Sequence, residues 1–212
     1  WLWRADFAYS LLLLGYLFYI KDKYFLFFIF SVLSIFSHYS SLPLLLLLIT
    51  FFSFSKNIKS LSEGIKILLV IIFAIACSYI YKIVKRSFTS GEGNWVSSYY
   101  LGNLLLLYFA IGLFLLIFLF YTKKWKFSKN LYNFSLTVIL NSIFSFIISL
   151  SSNGNHQDIT RIMHISFLLF CILIPLIFPY GNKLQKMLIL IYLTTGCIGT
   201  IYLVINFTMA IS

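Results

Sequence analysis

An all-α, polytopic integral membrane protein is the fold class this sequence predicts. Three observations carry it. The 212 residues are 61% hydrophobic and only 10% charged, more apolar surface than a soluble core of this size can use. Apolar runs near bilayer length recur along the whole chain. The basic residues gather in short stretches between those runs, where membrane topology accounts for them. That placement also argues against nucleic acid as the reason for a net charge of +11.

About eight transmembrane segments follow, at 5–20, 24–38, 41–55, 65–82, 100–121, 134–152, 162–180 and 187–208. A full span needs about 20 residues at a rise of about 1.5 Å each, and most of the segments approach that. The first is preceded by Trp1 and Trp3, which suit an interfacial anchor. Arg4 and Asp6 are two apart, so they share no helical face, and Arg4 is left for another partner.

Residues 24–55 are expected to form a recessed helical hairpin. One helix of that length would run about 48 Å, too long for a span, and two of about 15 residues would reach about 22 Å each, too short. The stretch FSHYSSLPLLLLL, residues 36–48, supplies the turn. His38, Tyr39, Ser40 and Ser41 form a polar tip, and Pro43 is tolerated in the first turn of the next helix. Irregular backbone at that depth must line a protein or water-filled cavity, and an ionisable residue there is a functional candidate. A surface turn carrying an interfacial histidine is the alternative.

The stretch 82–100, KIVKRSFTSGEGNWVSSYY, reads as the longest outer connection, joining Lys82, Lys85 and Arg86 to Trp95, Tyr99 and Tyr100. It suits a lipid phosphate and sugar faces, or an aromatic belt against headgroups. The later segments look clean inside, with Asn141 and Asn206 among the few exceptions. Between them, SSNGNHQDITRIMHIS gives a polar loop holding His156. Asp158 and Thr160 offer capping oxygens, which puts Arg161 in the first turn of the next helix and His164 on its face. A cation there opposes the helix dipole unless an anion docks. Pairing with Asp158, or snorkelling to headgroups, is the other reading. Cys77, Cys171 and Cys197 read as small buried hydrophobes without metal spacing.

No linker separates a second domain, so 1–212 is one membrane domain. The chain opens on Trp1 without a signal-like charged region, and is expected to be the C-terminal part of a longer protein.

The loops orient the bundle. With the N-terminus outside, eleven lysines (21, 23, 56, 59, 66, 123, 124, 126, 129, 183 and 186) fall inside, and Arg4, Lys82, Lys85, Arg86 and Arg161 fall outside. Every inner cation is a lysine, whereas all three arginines and all three histidines lie on or near the outer side. Arginine's planar fork suits bidentate phosphate binding, so the outer side is where chemistry is expected. Small numbers and a coding bias toward lysine are the alternative. No Walker loop, zinc spacing, nucleophile elbow or acidic metal cluster occurs in the sequence. An enzyme of this kind would work by positioning and positive charge, without metal or cofactor.

Three features in order resemble the EpsG/Wzy group of polysaccharide polymerases. An arginine opens an apolar segment, at Arg4 in WLWRADFAYSLLLL. A Lys-rich turn and an aromatic segment lead to Phe-X-His-Tyr-Ser, Phe36 to Ser40. A second arginine precedes an apolar helix ending in Ile-Pro, Arg161 to Pro175. Together they span roughly residues 3–178. Such proteins often carry Gln after the first arginine, where this chain has Ala5, and Tyr after the later one, where it has His164.

The resemblance implies a multi-pass glycosyltransferase of the bacterial cytoplasmic membrane. Such an enzyme joins polyprenyl-pyrophosphate-linked oligosaccharide repeat units at the outer face, for O-antigen, capsule or exopolysaccharide. Together with the residue patterns above, His38 and Arg161 are expected to be catalytic, and Arg4, Tyr39, Lys85, Arg86, Trp95, Tyr99, His156 and His164 to bind substrate. The expected partners are the lipid-linked oligosaccharide, membrane lipid, and a chain-length regulator and flippase of the same pathway. The alternatives are a lipid-linked oligosaccharide flippase, a membrane glycan acyltransferase and a non-catalytic membrane subunit.

Overall fold

The computed structural model describes residues 2–38, 41–57, 61–88, 97–151 and 156–209, with side chains for 7–38, 41, 42, 44–57, 61–80, 82, 103–151, 162, 163 and 165–197. Within them the chain is all helical. Eight α-helices run in order: α1 (Leu2–Ile20), α2 (Tyr24–Ser37), α3 (Ser41–Asn57), α4 (Glu63–Phe88), α5 (Ser97–Lys123), α6 (Lys129–Leu150), α7 (His156–Ile177) and α8 (Lys183–Met209). Short 3-10 turns, Lys124–Lys126 and Phe178–Tyr180, close α5 and α7.

Three helices among the described residues are long and apolar enough to cross a membrane, within α4, α5 and α6. The shorter apolar helices lie in α1, α2, α3 and α7. The turn inside 24–55 falls where the sequence placed it. Ser37 ends α2, His38 is extended, and Ser41 opens α3 with its hydroxyl donating to the His38 carbonyl at 2.8 Å.

The four lysine-bearing connections meet at one end of the bundle. Asp22 turns α1 into α2 in the left-handed region, with φ 56. Its N–H donates to Tyr19 O and that of Lys23 to Phe18 O, a Schellman closure usually built on glycine. An aspartate can take that φ and adds a carboxylate, which pairs with Lys56 at 3.8 Å and accepts from Tyr24. Glu63 ties three helices, accepting from Lys124 at 2.9 Å and from Tyr132. Phe127 meets Tyr180 edge-on at 5.1 Å. Lys66 is not a loop charge: it is buried in the first turn of α4 and donates to the Ser55 carbonyl at 3.2 Å.

The core is centred on α6, which packs against α3, α4, α5 and α7. Its span is 72% buried, against 17% for that of α4. It is also the polar helix. Asn133, Thr137, Asn141, Ser145 and Ser149 recur every four residues and are all buried. Thr137 meets Ser55 of α3 at 3.2 Å, and Asn141 and Ser145 reach Ser166 of α7 at 2.8 and 3.0 Å. The expectation of clean segments is therefore corrected. Polar groups placed where lipid cannot reach them join helices instead of meeting acyl chains. The cysteines are corrected in the opposite direction. Cys171 and Cys197 are exposed and Cys77 is half-buried, because an outer face turned to lipid carries apolar groups at no penalty.

α8 is seated on α5 by a reciprocal lock. Tyr108 and Tyr192 stack with centroids 4.3 Å apart, and Tyr108 donates to the Tyr192 carbonyl at 2.8 Å. Each ring lies over a glycine of the other helix: a Cβ on Gly112 would overlap the Tyr192 hydroxyl, and one on Gly196 that of Tyr108.

Candidate functional site

The end opposite the four lysine-bearing connections carries the described candidates read from the sequence. His38 is the one whose side chain is described; it is half-buried, and its ring centroid lies 6.4 Å from that of Tyr9 on α1. Ser34 fixes the register, donating to the Ala8 carbonyl at 2.7 Å across antiparallel helices. His38 is four residues above Ser34 and Arg4 four above Ala8, so both backbones rise about 6 Å from that bond and stand level.

The same arithmetic places the other ends. Ser55 pairs with Thr137, and fourteen residues on, Ser41 and Ser151 both lie about 21 Å higher. The hairpin tip therefore finishes level with the end of α6. α4 and α5 go further. Phe73 and Phe109 stack on α6 at Phe144 and Phe146. From those levels α4 still has fifteen residues to run and α5 twelve, which carries both about 10 Å beyond Ser151. The outer end is a step: a floor at the hairpin tip and the end of α6, and a wall made by α4 and α5.

Lys85 and Arg86 stand on the α4 part of that wall and Tyr99 on the α5 part. This revises the expected connection over 82–100, because both helices extend into it. Trp95 and Tyr39 lie outside the described residues, as do the side chains of Arg4, Lys85, Arg86, Tyr99, His156, Arg161 and His164. The start of α7 also differs from expectation. The helix already includes His156, so Asp158 is its third residue and Arg161 its sixth, in the second turn. An acid in the first turn of a helix is favoured by the dipole, which extends the helix upstream of the expected cap. Arg161 lies five residues above Ser166, about 7 Å, still below the end of α6.

The bundle does not bring Arg161 and His38 side by side. α7 packs on α5 and α6, whereas the hairpin packs on α1 and, through α3, on α6. α3 and α7 are separate neighbours of α6. Arg4 and His38 form one station and Arg161 another, each on a different neighbour of α6. No group of three or more metal-binding side chains occurs among the described residues. The small recesses between α5, α7 and α8 are lined by apolar residues such as Leu115, Leu119 and Ile189, away from this step.

The α6 ladder is what the sequence reading missed. Its signal was the four-residue repeat of Asn, Thr, Asn, Ser and Ser within an apolar run. Among the described residues, Asn141 Oδ1 has no hydrogen-bond partner although the residue is fully buried.

No protein-family model matches the chain, and no curated protein or solved structure matches it significantly.

Proposed function

We propose that the chain is the membrane part of a metal-independent glycosyltransferase. It polymerises polyprenyl-pyrophosphate-linked oligosaccharide repeat units at the outer face of the bacterial cytoplasmic membrane. The observation that supports this most is the stepped end, with Arg4 and His38 level on the floor, Arg161 on α7 beside α6, and α4 and α5 rising beyond them. A lipid-borne substrate presents its reacting bond just above the acyl region, which suits a floor below the outermost helix ends. Two stations suit a reaction with two lipid-linked substrates.

In this reading the reacting bond lies over the end of α6. The acceptor sugar hydroxyl forms a bond to the anomeric carbon of the growing chain. The bond from that carbon to the pyrophosphate oxygen breaks, and its electron pair leaves on the pyrophosphate. Arg161, with His164 one turn below, stabilises that negative charge. His38 takes the hydroxyl proton, which an imidazole can do near neutral pH. Arg4 holds the acceptor's own pyrophosphate. Tyr39, Lys85, Arg86, Trp95, Tyr99 and His156 hold sugars and phosphates along the tip and wall.

The α6 ladder favours a second reading, a flippase. Polar groups run through the depth of the bundle, and Asn141 keeps one buried oxygen without a partner. The hydrogen bonds to Ser55 and Ser166 fit helix adhesion better, because they close the ladder against its neighbours.

Deleting the complete gene in its host and running the surface glycan on a gel separates the readings. A polymerase predicts loss of the long-chain ladder with single repeat units still exported. Loss of single units as well indicates a flippase. An intact ladder made of lighter repeat units indicates an acyltransferase.

A further inference from the structure

We propose that the connection between α5 and α6, together with that between α7 and α8, forms a binding site for the phosphate headgroup of an anionic phospholipid in the lysine-side leaflet. The proposal rests on the membrane reading of the helices and is independent of the chemistry at the other end. The two connections are held together by the edge-on contact of Phe127 with Tyr180 and by Gln185 donating to Thr122 at 2.8 Å. Around that join stand Lys123, Lys126, Lys129, Lys183 and Lys186, all exposed or half-exposed. None of the five pairs with a carboxylate among the described residues.

The acids of this face are already used. Glu63 is taken by Lys124 and Tyr132, and Asp22 by Lys56 and Tyr24. Five cations without a carboxylate partner among the described residues thus flank the two joined connections. Two of them, Lys129 and Lys183, are the first residues of α6 and α8, where the helix dipole disfavours a cation. An anion between the two helix starts relieves both the dipole conflict and the mutual repulsion of the lysines. Inside each start the third amide is already engaged: Ser128 accepts from the Leu131 amide, and Asn182 and Gln185 cap each other reciprocally. The ligand is therefore held by the lysines and the ends of the dipoles, as a headgroup lying in the interface would be.

Trp125 selects lipid over a soluble phosphate. It is 73% exposed, projects from the same turn, and carries Lys126 over its ring at 4.7 Å. An indole so exposed beside basic residues belongs at the headgroup level, with its ring toward acyl chains. Lys21 and Lys23, on the same face but at the α1–α2 turn, lack such an aromatic join to a second connection.

The test uses the protein from its complete gene, purified in detergent and mixed with phosphatidylglycerol and phosphatidylcholine. Lipid adducts are counted by native mass spectrometry. Wild type is expected to retain phosphatidylglycerol preferentially. Changing Lys123, Lys126, Lys129, Lys183 and Lys186 to Gln is expected to lower that preference by about tenfold or more. The K21Q/K23Q pair is expected to leave it within about twofold, and Trp125→Ala to weaken retention of phosphatidylglycerol without affecting phosphatidylcholine. The mutated lysines are surface groups, so unchanged elution as a monodisperse peak verifies folding. Equal retention of the two lipids by wild type would overturn the proposal, as would an equal loss in the K21Q/K23Q protein. Displacement of the lipid by millimolar inorganic phosphate would assign the site to free phosphate instead.

Discussion

Arg161→Ala is expected to reduce glycan chain lengthening by about a hundredfold or more, with the protein still present in the membrane. That is the scale seen when a group aimed at developing negative charge is removed from a water-poor site. The leaving group here is a pyrophosphate, and Arg161 is the cation that α7 carries below the level of the α6 end. Lysine at the same position is expected to recover only part of the rate, since it lacks the planar fork. The measurement is the length distribution of surface glycan on a gel, with membrane abundance checked by immunoblot. A full ladder in the Ala variant would remove Arg161 from the chemistry. Gln at position 38 is expected to have a different signature. It keeps a polar side chain but cannot take the hydroxyl proton, so the rate falls while membrane abundance is unchanged.

The second large effect is structural. Gly112→Leu is expected to unseat α8. A side chain at 112 meets the Tyr192 ring, and that ring cannot withdraw without breaking its stack with Tyr108. Overpacking of this kind costs on the order of 1–3 kcal/mol. α8 has little else to hold it near its middle, since α5 is its main neighbour. The expected readouts are a lower midpoint of unfolding in SDS and faster proteolysis at the Gly181–Asn182 turn. Adding Tyr192→Ala to Gly112→Leu is expected to restore part of the loss by removing the ring that clashes. No recovery in the double variant would mean that the Tyr–Gly lock is not what seats α8.

Much of this fold is legible in the sequence because lipid imposes simple rules. Apolar runs separated by lysine-bearing turns give the eight helices to within about five residues at the lysine end. His38 marks the break between α2 and α3, because a 32-residue helix fits no bilayer. Three features were hidden for physical reasons. α4 and α5 extend past their apolar stretches, where hydropathy falls and a helix resembles a loop. α6 is central, and what marks it is the four-residue spacing of Asn133, Thr137, Asn141, Ser145 and Ser149 within an apolar run. The exposure of Cys171 and Cys197 runs against a rule learned from soluble cores. The arginines and histidines are legible as lying at one end of the helices, opposite the four lysine-bearing connections. That Arg161 and His38 stand on different neighbours of α6 follows only from packing.

The proposed activity is tested most directly in liposomes. The protein from its complete gene is reconstituted with a polyprenyl-pyrophosphate-linked repeat unit and no divalent metal, and the products are resolved by mass. The account predicts oligomers of two and more repeats, with one polyprenyl pyrophosphate released for each new linkage. Repeat units that stay single, whether they cross the bilayer unchanged or gain the mass of an acyl group, would contradict it.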